Sequence, residues 1–431
     1  MKIKTIEKSY EEVIALPPKK QPKPKKPNIF FRTLLKLVSL PDLIATRFTL
    51  NKIGMEKLKK NEPCFYLMNH SGFIDLEMAV SSLYPRPVNI IATTDAFVGK
   101  NWLMRNLGCF PTQKFVFNIG SFLDVKHCLF NLKTSVLMFP EAGYSFDGRK
   151  STLPENIGAL LTKLGVPVVM MRTKGAYLRD PLYNNLQRRK VKTSMEMEYL
   201  FSPDDLQKMS AEDVQRVIEE QFSFDAFRQQ KEEGIKVSEP FRADKLNRLL
   251  YKCPHCYTEG EMEGKGIRLF CRACGKSYTL SEYGELIADD GNAAFSAVTA
   301  WYDWEREEVK KELSLGTYLL DVPVRIAMLV DTKALYFVGE GRLTHTEAQG
   351  FHLTGCDGKL DYYQKPHSTY TLNADYNWYE IGDVIGIGDV RALYYCFPKT
   401  EKDVVTKARL ATEEIYKRVK RKKEGLRDDK K

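Results

Sequence analysis

The sequence predicts an α/β chain in three parts: a largely parallel α/β domain, a small cysteine-bound ribbon, and a β-rich domain that ends in a helix. Three observations carry this prediction. Short apolar runs alternate with helically spaced segments up to about residue 200, two Cys-x-x-Cys pairs follow, and from about 316 the pattern turns to short strands separated by Gly-containing turns. At 431 residues the chain exceeds one compact core, and 43% hydrophobic residues exclude a disordered one. Nine cysteines are too few for a disulfide scaffold, and an odd number fits a reducing, cytoplasmic compartment.

The first 60 residues form a basic arm. The whole chain carries a net charge of +10, but the cations are not evenly spread: residues 1–60 hold +10, residues 415–431 hold +6, and the body between them is mildly acidic at −6. Basic ends on an acidic body do not resemble a nucleic-acid-binding core, so no nucleic acid partner is expected; they suit an anionic membrane surface, although terminal lysine runs also occur as solvated tails. The Pro/Lys stretch that includes Lys19, Lys20, Lys23, Lys25 and Lys26 leads into Ile29–Leu50, where Arg32, Lys36, Asp42 and Arg47 interrupt an apolar stripe. That pattern predicts a helix lying in the membrane interface, since no window has the roughly 20 apolar residues needed to span a bilayer. Peripheral attachment to the inner, cytoplasmic face of a membrane is the expected location.

The α/β domain is expected over 61–235. Cys64–Met68, Val88–Thr93, Ser135–Phe139 and Val166–Met171 read as buried strands, with helical spacing over Phe73–Leu83, Val98–Leu107 and Asn156–Leu164. Charged, helically patterned residues 203–235 complete it.

Two loops at strand ends carry candidate chemistry. In His70-Ser71-Gly72-Phe73-Ile74-Asp75 an imidazole precedes a carboxylate by five residues. On one continuous helix the two side chains would lie about 140° apart. They meet only if His70 sits on the turn and Asp75 in the first helical turn, which Ser71 and Gly72 allow. A carboxylate on one ring nitrogen fixes the tautomer and leaves the other nitrogen as a base for a hydroxyl. Phe139-Pro140-Glu141-Ala142-Gly143-Tyr144-Ser145 follows a second strand, and loops at the carboxyl ends of parallel strands face one crevice.

These blocks resemble those of the glycerolipid acyltransferases typified by 1-acyl-glycerol-3-phosphate acyltransferase. Asn69 to Asp75 is similar to the family's N-H-x-x-x-x-D block, and Phe139 to Ser145 to its F-P-E-G-x-x-S block. Gly108 to Lys114 is similar to the G-x-x-x-x-x-R block, and Val166-Pro167-Val168-Val169 to the final V-P-V segment. The resemblance implies His70 as general base and Asp75 as its partner, with Lys114, Glu141, Gly143 and Ser145 on the acceptor; Arg149, just after the last of these, is a candidate further cation for it. It further implies transfer of a fatty acyl group from acyl-CoA or acyl-carrier protein to a lysophospholipid or glycerol phosphate. Lys114 stands where Arg is usual, Tyr144 where many members carry Arg, and Ala142 where Gly is common. The alternative is an inactive acyltransferase-fold adaptor that binds lipid surfaces or nucleic acid.

Cys253, Cys256, Cys271 and Cys274 are spaced as two knuckles that close tetrahedrally on structural Zn²⁺, which places a zinc ribbon over 249–285. Residues 316–423 are expected to form six or seven strands and a closing helix, an order similar to pleckstrin-homology-like domains. Tyr362, Tyr363, Tyr370, Tyr376, Trp378 and Tyr379 are candidates there for either a binding face or core pairs.

Overall fold

The computed structural model describes residues 2–17, 22–114 and 119–428. The first strand, β1 (Thr5–Glu7), leaves the arm and joins the sheet at the far end of the chain, pairing in parallel with Leu335–Phe337. Lys19 and Lys20 lie outside the described residues. Residues 22–28 are laid against the body: Arg105 donates to the carbonyls of Pro22 and Lys23, and Lys25 Nζ donates to Asn106 Oδ1 at 2.8 Å.

The expected amphipathic helix forms over Ile29–Ala45, capped by Asn28, whose side chain accepts from the Phe30 amide. Ser39 and Leu43 face inward, whereas Phe30, Val38 and Ile44 are 64%, 64% and 73% exposed. Trp102, also exposed, extends this apolar face through an edge contact with Phe31. Among the described residues no helix is long and apolar enough to cross a membrane.

The α/β domain is built on β2 (Thr49–Ile53), β3 (Phe65–Met68), β4 (Val88–Thr93), β5 (Cys109–Thr112), β6 (Ser135–Met138), β7 (Val168–Lys174) and β8 (Ser194–Phe201), in the order β2-β8-β7-β3-β6-β4-β5. The five strands from β7 to β5 are parallel, and β8 runs against β7. Alternation along β3 serves both faces. Phe65 and Leu67 enter one core with Ile157 and Leu161, and Tyr66 and Met68 enter the other with Ile74 and Met78. Each such side chain contributes about 1.5–3 kcal/mol by leaving water. The helices Ile74–Leu83 and Ile157–Leu164 that supply these residues cover opposite faces, as the alternation of runs predicted. The strands β2, β5 and β8 were not anticipated, although β8 alternates buried Met195 and Met197 with polar neighbours.

The cysteine segment folds as a four-stranded antiparallel sheet of β9 (Met262–Lys265), β10 (Arg268–Cys271), β11 (Ser277–Leu280) and β12 (Leu286–Ala288). An unanticipated helix, Val298–Leu315, links it to β13 (Leu320–Leu329), β14 (Leu335–Thr346), β15 (Gly350–Gly355), β16 (Leu360–Gln364), β17 (Asn373–Trp378), β18 (Gly382–Gly388) and β19 (Leu393–Pro398). These seven strands pair antiparallel in the order β16-β15-β14-β13-β19-β18-β17, and the helix Val405–Asp428 closes the chain.

The parts share one core. Phe146, Tyr177 and Tyr183 of the α/β domain pack in a continuous cluster with Trp301, Ile326, Tyr376 and Ala411. Arg409 of the closing helix stacks on Phe146 at 4.0 Å and donates to Ser151 Oγ. This packing brings the β17 end of the C-terminal sheet to the carboxyl ends of the parallel strands. Most of the β-domain aromatics are core pairs: Tyr376 is buried and donates to the Arg248 carbonyl, and Trp378 stacks on Tyr395 at 4.4 Å.

Candidate active site

β3 ends at Met68, and the helix that carries Asp75 begins at Ile74, so His70 lies on the turn and Asp75 in the first helical turn. His70 Nδ1 is 3.2 Å from Asp75 Oδ2. The same oxygen accepts the backbone amides of Ser71 at 2.5 Å and Gly72 at 3.0 Å. Asp75 is fully buried and only accepts, so Nδ1 carries the proton and the lone pair lies on Nε2. Gly72 is required: a Cβ there would stand 2.7 Å from Asp180 Oδ1.

A residue missed in the sequence completes the pair. Thr173, at the carboxyl end of β7, donates its hydroxyl to Asp75 Oδ1 at 2.9 Å. Its amide donates to Asn69 Oδ1 at 2.7 Å, and Asn69 Nδ2 returns a bond to the Thr173 carbonyl. Because β7 neighbours β3, this exchange locks the two strand ends and aims the carboxylate. The only signal in the sequence was a polar residue following the apolar run Val168–Met171.

The second loop supports the first. The buried Glu141 carboxylate accepts the His70 amide at 2.9 Å and the Ser151 amide at 2.7 Å, and burial pushes its pKa up to about 7. The Ser145 amide donates to the His70 carbonyl, and its hydroxyl donates to the Arg149 carbonyl. Phe139 stacks on the imidazole at 4.3 Å, and Tyr144 meets it edge-on at 4.6 Å. Ala142 holds φ +54°, the left-handed conformation that explains why Gly is common at that position.

The acceptor residues expected from sequence therefore divide. Glu141 and Ser145 brace the loops rather than face the crevice. Arg149 is consumed in a fork with Asp303, at 2.7 and 2.8 Å, and a 2.6 Å bond to Asp147. A Cβ on Gly143 would meet nothing within 4 Å, so open space adjoins it. Lys114, half-buried at the end of β5, stands in the field of Asp375 from β17.

The site lies within a stretch that matches a known family. Residues 49–174 match the family model described as Acyltransferase. This chain carries an acyltransferase-family domain. A chloroplastic 1-acyl-sn-glycerol-3-phosphate acyltransferase of Brassica napus is 31% identical over 128 residues, which cover 28% of this chain and 36% of the relative. The chain thus spans about a third of that relative's length. A solved structure, the 1-acyl-sn-glycerophosphate acyltransferase of Thermotoga maritima, matches at 18% identity and a TM-score of 0.35, covering 44% of this chain and 76% of the other. The family resemblance read from the four sequence blocks is borne out for the acyltransferase domain. It contains the His70 and Glu141 loops and ends just beyond Thr173.

The Cys253, Cys256, Cys271 and Cys274 sulfurs all lie within 4.8 Å of one another, with the closest pairs at 3.7 and 3.8 Å. Tetrahedral Zn²⁺ with bonds of about 2.3 Å requires sulfurs about 3.8 Å apart. The four residues could hold one metal ion.

Proposed function

We propose that this protein transfers a fatty acyl group from an acyl thioester, acyl-CoA or acyl-carrier protein, to the hydroxyl of a lysophospholipid or glycerol phosphate at a membrane surface. The observation that carries this reading is the His70–Asp75 pair, oriented from behind by Thr173, with no hydrogen bond to Nε2 among the described residues. His70 Nε2 takes the acceptor hydroxyl proton as the oxygen attacks the thioester carbonyl carbon. The C–O bond forms, the C–S bond breaks, and the proton passes from His70 to the departing thiolate. A thioester is already activated, so positioning and deprotonation are the main demands and no protein nucleophile is needed.

The apolar face made by Phe30, Val38, Ile44 and Trp102, in a chain whose first 60 residues carry a net +10, supports seating on an anionic bilayer at the cytoplasmic side. The four cysteines would hold Zn²⁺ as a closed structural site, which supplies folding energy and has no open position for chemistry.

Purified protein should release free thiol from an acyl-CoA only when a lysophospholipid or glycerol phosphate is supplied, and Phe30→Ser with Val38→Ser should weaken binding to anionic vesicles. Thiol release that ignores the acceptor would contradict transfer, and unchanged vesicle binding would contradict the membrane face.

A further inference from the structure

Besides Glu141 and Asp75, one more carboxylate packs against the His70 turn, and it comes from outside the four acyltransferase blocks. Asp180 is 4% exposed, and a Cβ built on Gly72 would stand 2.7 Å from its Oδ1, 3.2 Å from its Cγ and 3.4 Å from its Oδ2. Gly72 and Ser71 supply the two amides that hold Asp75 Oδ2, the oxygen that also faces His70 Nδ1. The position of Asp180 therefore bears on the geometry of the base.

Asp180 is itself held by Arg179, the last residue of the short helix Ala176–Arg179 that follows β7. Arg179 Nη1 donates to Asp180 Oδ2 at 3.0 Å, and Nη2 pairs with Asp42 Oδ2 at 3.1 Å, with the Arg179 side chain 5% exposed. Burial pushes the Asp180 carboxyl upward and Arg179 pulls it back, so its charge depends on the guanidinium. Asp42 lies on the helix Ile29–Ala45, which exposes Phe30, Val38 and Ile44. Leu43 of that helix packs in one core with Ile74 and Met78 of the helix that carries Asp75. Apolar packing is non-directional, whereas a planar guanidinium between two carboxylates fixes both in angle and distance. Arg188, 65% exposed, takes the other Asp42 oxygen at 2.9 Å. Two cations thus face two carboxylates and the neighbouring Glu77 carboxyl, which burial pushes up to about 7.

We propose that Arg179 and Asp42 are positioning residues for acyl transfer. Through the contacts Asp42–Arg179–Asp180–Gly72 they set the turn that aims His70, so the lipid-facing helix is the outer anchor of the base. This rests on the acyl-transfer reading above and adds to that same site two residues that act on it through the turn.

The test follows thiol release from one acyl-CoA in neutral detergent micelles, with lysophosphatidic acid or glycerol 3-phosphate, whichever the wild-type protein acylates faster. It reads kcat, both KM values and the thermal midpoint of each variant. Arg179→Lys keeps the charge but cannot fork between two carboxylates, so kcat should fall about tenfold while KM changes by less than about twofold. Asp42→Asn keeps the shape and withdraws the charge at the outer end, and kcat should fall about threefold. The double variant should lose no more than Arg179→Lys alone, because both changes cut one chain of contacts. Arg188→Gln, at an exposed ion pair, should keep kcat within about twofold of wild type. Wild-type kcat in both single variants, losses that multiply in the double variant, a loss confined to KM, or an equal loss in Arg188→Gln would overturn the proposal while leaving acyl transfer intact. If Arg179→Lys fails to fold, Asp42→Asn decides alone, and an unchanged kcat there overturns the proposal. Folded wild-type protein that releases no thiol with either acceptor would overturn the acyl-transfer reading itself.

Discussion

Two polar clusters in this chain are built on opposite plans. At the cysteine knuckles all four sulfurs converge on one point and face each other within a stretch of 22 residues, Cys253 to Cys274. At the His70 turn the polar groups act in series: Glu141 holds the turn, Thr173 holds Asp75, and Asp75 holds one side of the imidazole. The series ends on Nε2, with the His70 side chain 19% exposed. A closed cluster stores stability, whereas a chain of hydrogen bonds that ends on a lone pair delivers reactivity. The difference teaches that burial and saturation alone do not mark a catalytic centre; what matters is where the last bond points.

Breaking the closed cluster should have the largest effect. Structural Zn²⁺ contributes apparent binding free energies of about 10–16 kcal/mol in small zinc-finger peptides. Chelation at neutral pH should therefore melt the ribbon and, through the shared core around Trp301, lower the thermal midpoint of the whole protein. A midpoint unmoved by chelator, with no zinc found by elemental analysis, would remove the metal from the account.

Weakening one link in the series should cost rate more than stability. Thr173→Val keeps the shape but withdraws the hydroxyl from Asp75, so kcat should fall about tenfold, equivalent to about 1.4 kcal/mol in the barrier. Should Thr173→Val turn over like wild type, Thr173 belongs to the packing of β7 and not to the orientation of the base.

The remaining changes sharpen the comparison without breaking either cluster. Ala142 adopts a left-handed conformation beside the brace Glu141, so Ala142→Gly should raise stability by about 1 kcal/mol at little expense in activity. A denaturation midpoint that falls instead would show the strain to be absorbed elsewhere.

Smallest is a pH effect at the helix behind the turn. Burial, reinforced by the neighbouring Asp42 carboxylate, pushes Glu77 up to about 7. The folded protein thus keeps a proton that the unfolded chain loses near about pH 4.3. The associated stability is present below that pH and is lost as pH rises through 7. Glu77→Gln needs no such proton, and the fall in thermal midpoint between pH 5 and pH 8 should be shallower than in wild type. Parallel falls in the two proteins would show that Glu77 does not contribute to the slope.

What the sequence made legible follows from range. The His70–Asp75 contact is a matter of five residues and a strand-to-helix turn, and the cysteine ligands are two local pairs, so spacing carried both. The parallel strands β3, β4, β6 and β7 were legible because both of their faces are buried and their apolar runs are continuous. Arg149 was read as an acceptor cation because its partner Asp303 lies on a helix that spacing did not reveal. Tyr379 meets Asp95 of the α/β domain only through the docking of a separate domain, and β1 crosses nearly the whole chain to its partner. Such contacts depend on the tertiary arrangement, which no local pattern encodes.

The central claim is that the free nitrogen of His70 is the base for acyl transfer. It is tested most directly by purifying the wild-type protein and His70→Ala side by side, matching their thermal midpoints, and following thiol release from acyl-CoA with a saturating lysophospholipid. A loss of about 10² to 10⁴-fold in kcat with the fold retained is the predicted result. Turnover by His70→Ala within twofold of wild type would contradict it.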